Sequence, residues 1–240
     1  MRIDIVSRAL RWIKMHRHHL SPVSTSKTRT TYTDAESKAE FDLWSKSYNK
    51  SILQRLLFVP SHNCLLENIS IGNRQLRLLD IGCGTGILVK RVSECYPDAK
   101  VYGIDLSHDM IRYGLLQAEN CQFAQANCES LPFADNSFDI VTSSNSFHHY
   151  PNQARAVNEM HRVLKPDGKL MIIDGYCDRS CPWGWFIYDV CVVALEGAVH
   201  HASAQEFRKL FTGAGFDDIR QQAKLGLAPF LLTMGTKAKV

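Results

Sequence analysis

The stretch Leu78-Leu79-Asp80-Ile81-Gly82-Cys83-Gly84-Thr85-Gly86 decides how this chain folds. An apolar run ends in an acid, three glycines follow at alternate positions, and a helical pattern begins directly after them. Glycine lets the backbone turn tightly and lets a ligand approach where a Cβ would collide. The helix start adds N–H groups with partial positive charge. The order Asp80, Gly82, Gly84, Gly86 differs from the G-x-G-x-x-G spacing of a dinucleotide site. An acid at the head of the turn suits a ligand with a positive amino group and no pyrophosphate. Asp105 closes the next apolar run, 19 residues after Gly86. A carboxylate there can accept both hydroxyls of a ribose.

Outward from the turn, strands alternate with helices. Leu76–Ile81, Lys100–Asp105, Cys121–Ala126, Phe138–Ser144 and Lys169–Asp174 read as strands. Helical stretches run to about Cys95, over Asp109–Glu119 and over Gln153–Leu164. Pro166-Asp167-Gly168 turns the chain into the fifth strand. Ser203 is a good N-cap for a helix over Ala204–Gly213, and two last strands lie near Asp218–Ala223 and Phe230–Thr236. This alternation implies an α/β fold with a doubly wound sheet covered on both faces. Upstream, Phe41, Trp44, Tyr48, Ile52 and Leu56 recur at helical steps. Pro60 and Ser-His-Asn break that helix before a second one around Cys64–Ile69.

The chain has 240 residues and a net charge of +4. The charge sits in the N-terminal arm, residues 1–33. Within residues 1–30, seven Lys/Arg face only Asp4, which leaves the body slightly acidic and argues against a nucleic-acid partner. The arm reads as a mobile segment, a transit peptide, or a basic helix over residues 1–20 that touches a membrane surface. No apolar run is long enough to span a bilayer. The expected location is cytoplasmic, with organelle targeting or peripheral membrane attachment as the alternatives. Eight cysteines without a CxxC pair read as reduced and mostly buried. Cys177 and Cys181 are the pair to inspect for arsenic chemistry, and no metal site is expected.

Several ordered segments together resemble a class I methyltransferase dependent on S-adenosyl-L-methionine (SAM), close to the ubiquinone/menaquinone C-methyltransferase-like group. They are Leu78–Gly86, Gly103-Ile104-Asp105-Leu106-Ser107, the run Cys128–Asp139 with Leu131-Pro132-Phe133, Ser144–Pro151 with His148 and His149, and Leu164–Gly168. Asp167 stands where Gly-Gly is commoner. The match covers about residues 40–175 and resumes at Ser203–Phe216. The resemblance implies a Rossmann-like seven-stranded sheet of order 3-2-1-4-5-7-6, its last strand antiparallel, within a domain at 34–240. It implies SAM as cofactor. Asp80, Gly82, Cys83, Gly84 and Gly86 would hold the methionine end, with Tyr48 closing over it. Asp105 would take the ribose, Leu106 and Met110 would flank the adenine, and Ser144 would lie near the sulfonium. Asn127 would accept from the adenine amino group in place of the commoner aspartate, and Cys128 would offer its backbone N–H to the ring.

The acceptor would be a small, apolar or aromatic molecule, under a lid-like insertion at 176–203 rich in Trp183, Trp185, Phe186 and Tyr188. The same aromatics suit a core or a dimer surface, so monomer and homodimer both stand. If a base is needed, the candidates are His148, His149, His200 and His201, with at most one of each adjacent pair acting, and Tyr150. The competing readings are a non-catalytic partner protein on the same fold, an arsenite methyltransferase and a macromolecule methyltransferase.

Overall fold

Leu78 and Leu79 are both fully buried, yet they belong to different cores. The same split recurs at Ile140 and Val141, at Met171 and Ile172, and at Leu231 and Leu232. Neighbouring side chains on a strand point to opposite faces, so a sheet apolar at every position must be covered on both sides. The computed structural model describes residues 52–69, 75–178, 181–188, 199–226 and 228–239. It shows that arrangement directly. Residues 1–33, the positions Phe41, Trp44 and Tyr48, the side chains of Ile52 and Leu56, and Cys191 lie outside the described residues.

The elements are α1 (Ile52–Asn68), β1 (Arg77–Ile81), α2 (Ile87–Cys95), β2 (Lys100–Asp105), α3 (His108–Gln117), β3 (Gln122–Gln125), β4 (Phe138–Ser144), a 3-10 turn (Phe147–His149), α4 (Gln153–Val163), β5 (Leu164–Gly175), α5 (Pro182–Trp185), α6 (Ala204–Gly213), β6 (Phe216–Lys224) and β7 (Phe230–Lys237). The seven strands form one sheet of order β3-β2-β1-β4-β5-β7-β6. β1 to β5 pair in parallel, and β7 runs antiparallel to both β5 and β6. One face is covered by α4 and α6 through Ala156, Val157, Met160, Phe207 and Phe211. The other is covered by α1, α2 and α3 through Cys64, Leu65, Leu88, Val89, Val92 and Ile111. Ser203 caps α6 in a full capping box with Glu206.

Two sequence expectations are corrected. Pro60 does not break the first helix: α1 is continuous from Ile52 to Asn68 with Pro60 inside it. Proline removes one intrahelical hydrogen bond and crowds the preceding turn. Here the following turn is held from outside. Buried Ser61 donates to the Phe58 carbonyl at 2.8 Å and accepts from Asn145 Nδ2 at 2.8 Å. β5 begins at Leu164 rather than Lys169. Residues 165–168 form a bulge between the pairs Phe138↔Leu164 and Ile140↔Lys169. Asp167 takes φ 63° there, a conformation aspartate tolerates better than most residues. No helix among the described residues is long and apolar enough to cross a membrane.

Candidate active site

The turn after β1 is built as its glycines require. Gly82, Gly84 and Gly86 all have left-handed φ, at 68°, 53° and 78°. A Cβ on Gly82 would overlap Ser146 and come within 2.9 Å of Tyr150 Oη. Gly86 caps α2 without any side-chain hydrogen bond, so the helix start is presented bare. Asp105, at the end of β2, accepts the Gly84 N–H through Oδ2 at 2.8 Å and the Ser107 N–H through Oδ1 at 2.9 Å. One carboxylate thus ties the turn to the next strand.

A single cleft opens over this turn. One end holds Asp105, Leu106, Met110, Ala126, Asn127 and Cys128; the middle is the turn with Asp80; the far end holds Phe58, His62, Ser144, Asn145, His149 and Pro151. Asp80 is 2% exposed and accepts from Thr142 Oγ1 at 2.7 Å. Burial raises its carboxyl to about 7. The Thr142 bond opposes that rise, and the nearby Asp105 charge adds to it. An ammonium ligand would offset that burial. Asn127 lines the cleft beside Asp105, and its Oδ1 accepts the Glu129 N–H at 2.8 Å. One of its two acceptor positions is therefore taken.

The four histidines separate sharply. The His148 and His149 rings lie against each other, with centroids 4.2 Å apart and planes tilted by 44°. His149 lines the cleft. Burial, then the neighbouring His148, holds its ring well below the usual histidine range. His148 turns inward to Asp174, which accepts its backbone N–H at 2.9 Å and pairs with its ring Nδ1 at 2.7 Å. Burial alone would raise Asp174, yet His148 and the Gly175 N–H bring it to about 2. His201 is buried in a stack on His148, with ring centroids 4.4 Å apart, and Tyr188 lies against its ring at 4.9 Å. His200 donates its backbone N–H to His148, and its ring lies 3.6 Å from Glu206. Of the four candidates only His149 lines the cleft; His148, His200 and His201 do not.

Tyr150 is also removed as a base. Its hydroxyl donates to the Ile81 carbonyl at 2.9 Å, and burial pushes its pKa well above 10. It braces the glycine turn from below. His148, Asp174 and His201 bring possible metal-ligand atoms within 4.8 Å of one another. A metal must lie in the plane of each imidazole it binds, whereas these two rings are stacked at an interplanar angle of 20°. Asp174 also accepts from the Gly175 N–H at 2.7 Å. In the cluster Asp174 is hydrogen-bonded to the His148 ring, and His201 stacks on that ring.

None of the described residues of the insertion lines the cleft, Cys177 and Cys181 included. Trp183, Trp185 and Phe186 are about half exposed. The sequence reading missed His62 and Phe58, which reach the cleft from α1. The only local hint was the helical spacing of these two residues, four apart.

Residues 79–172 match the family described as a methyltransferase domain. The chain is 31% identical over 156 residues to an uncharacterized methyltransferase, YcgJ, of Bacillus subtilis, covering 60% of this chain and 59% of that protein. It is 38% identical over 143 residues to the ubiquinone/menaquinone biosynthesis C-methyltransferase UbiE of Hahella chejuensis, covering 55% and 57%. The chain thus spans less than two thirds of the length of these curated relatives. Among solved structures, a methyltransferase of Haloferax volcanii in complex with its activator superimposes with TM-score 0.71 at 18% identity, over 85% of this chain and 98% of that one. The [4+2]-cyclase SpnF superimposes with TM-score 0.70 at 17% identity, over 88% and 98%. At such identities the structures speak for the fold alone. The bare helix start, the glycine cradle and Asp105 fit SAM, and residues 79–172 of this chain match a methyltransferase domain and resemble the UbiE-like group.

Proposed function

We propose that the chain transfers the methyl group of SAM to a small, uncharged, apolar or aromatic acceptor held at the His149 end of the cleft. One observation carries this reading. Asp80 and the Asp105-tied turn occupy one cleft with His149, so a cofactor site and a proton acceptor are contiguous. No lysine or arginine lines the cleft among the described residues, which favours an acceptor without a phosphate or carboxylate.

When bound, SAM supplies a methyl group on a sulfonium, a leaving group that needs no activation. The chain's own work is positioning and proton handling. Asp105 would hold the cofactor's ribose and the Gly82–Gly86 turn its amino-acid end, leaving the far end of the cleft for an acceptor. Phe58 and Pro151 offer it apolar walls. His149, neutral at physiological pH, takes the acceptor's proton as the new bond forms. A hydroxyl-bearing aromatic ring of the quinol type answers all three features. Relatives named as a demethylmenaquinone methyltransferase and as a ubiquinone/menaquinone biosynthesis C-methyltransferase agree with that class.

Labelled SAM offered with a quinol, a phenol, an aliphatic amine or arsenite tests the assignment. Transfer to the quinol or phenol is expected. Transfer to arsenite, lost when Cys177 and Cys181 become serine, would contradict it. Absence of transfer to every acceptor, with SAM still bound, would favour a non-catalytic partner role.

A further inference from the structure

His62 sits on α1 at the wall of the cleft, 7% exposed, and its Nδ1 has no hydrogen-bond partner. The charge of Arg91, on α2 one turn beyond the bare helix start at Ile87, acts on that ring. The Arg91 Nη2 donates to Asn63 Oδ1, which fixes the guanidinium against α1. Its Nη1 is buried and also has no partner. Buried polar groups are nearly always paired, so an unpartnered one calls for an explanation. Here two lie on the neighbouring helices α1 and α2, coupled through the Arg91 charge, and His62 reaches the wall of a ligand cleft.

We infer that the corner formed by His62 and Arg91 receives a carboxylate, the α-carboxylate of the methionine part of SAM. This rests on the proposed cofactor reading and deepens it. An amino-acid zwitterion needs an anion for its ammonium and donors for its carboxylate. Asp80 supplies the first, and the sequence reading named nothing for the second beyond the turn. Burial, then the Arg91 charge, hold the His62 ring at about 4. The ring is therefore neutral and has one N–H to donate. A carboxylate against His62 satisfies that ring's donor, and its charge offsets the Arg91 repulsion that keeps His62 unprotonated. The start of α2 adds its dipole to the same corner. Arg91 itself does not line the cleft, so His62 makes the contact and Arg91 backs it with charge.

The test compares two ligands by calorimetry on the full chain: S-adenosylhomocysteine, and its decarboxylated analogue, which keeps the amine and lacks only the carboxylate. A charge-assisted hydrogen bond contributes about 1.5–3 kcal/mol, or roughly 10–100-fold in affinity. The wild type should bind the analogue at least about 10-fold more weakly. Arg91→Met and His62→Leu should each lose a similar factor for S-adenosylhomocysteine and stay within about twofold for the analogue. Equal affinity of the wild type for both ligands would overturn the inference, with no variant needed, and so would equal losses for both ligands in the variants. If the wild type binds neither ligand, the cofactor reading falls with it; tight binding without carboxylate dependence overturns the corner alone.

Discussion

The Asp174 carboxylate holds His148 by two atoms at once, the backbone N–H at 2.9 Å and the ring Nδ1 at 2.7 Å. The second histidine, His149, packs its ring 4.2 Å from the anchored one and lines the cleft. Asp174 ends β5 and His148 follows β4, so adjacent parallel strands anchor the ring against which the candidate base packs.

His149→Gln should therefore lower turnover by about 10²–10⁴-fold, the usual contribution of a positioned acid or base. Affinity for S-adenosylhomocysteine should remain within a few-fold. Labelled-methyl transfer beside calorimetry separates the two. Asp174→Ala should instead reduce stability, by about 3–5 kcal/mol, because it strips the partner from a buried pair. Urea denaturation reads that loss.

Asp80 predicts a pH dependence. Its folded-state pKa of about 7 lies above the ordinary carboxyl value of 3.8, so the folded protein holds a proton that the unfolded chain releases. Stability from this group is present below pH 4 and is lost as pH rises through about 7. Asp80→Asn should accordingly raise the melting temperature of the ligand-free protein at pH 8, by a few degrees, while abolishing detectable cofactor binding. In the wild type, an ammonium ligand needs the ionised carboxylate. Affinity should fall up to about tenfold per pH unit below 7. A flat affinity between pH 5.5 and 8 would reject the Asp80–ammonium pairing.

Gly82→Ala should cost at least about 2 kcal/mol, combining left-handed strain with overlap against Ser146 and Tyr150. Gly215→Ala is the control. Its φ is 86°, but the nearest side chain, His161, would lie 3.7 Å from the new Cβ. Strain alone should cost about 1–2 kcal/mol there. Chemical denaturation of the two variants distinguishes strain from crowding.

Local chemistry carried most of the fold. The glycine turn, the Ser203 cap and the strand β4 are legible because each is decided within a few residues. The continuity of α1 through Pro60 was not, since it depends on Asn145, 84 positions from its partner Ser61. The choice among four histidines depends on Asp174, which is 26 positions from His148. His62 and Arg91, 29 positions apart in sequence, meet only because α1 and α2 cover the same face of the sheet. Long-range pairings of single polar residues leave no periodic trace in sequence, so the shape of the cleft was readable and its acceptor end was not.

The most direct test of the central claim is titration of S-adenosylhomocysteine into the wild type, Asp80→Ala and Asp105→Ala at pH 8. Micromolar binding to the wild type, with loss of about 100-fold or more in each variant, is the predicted result. Unchanged affinity in both variants would contradict the placement of the cofactor in this cleft.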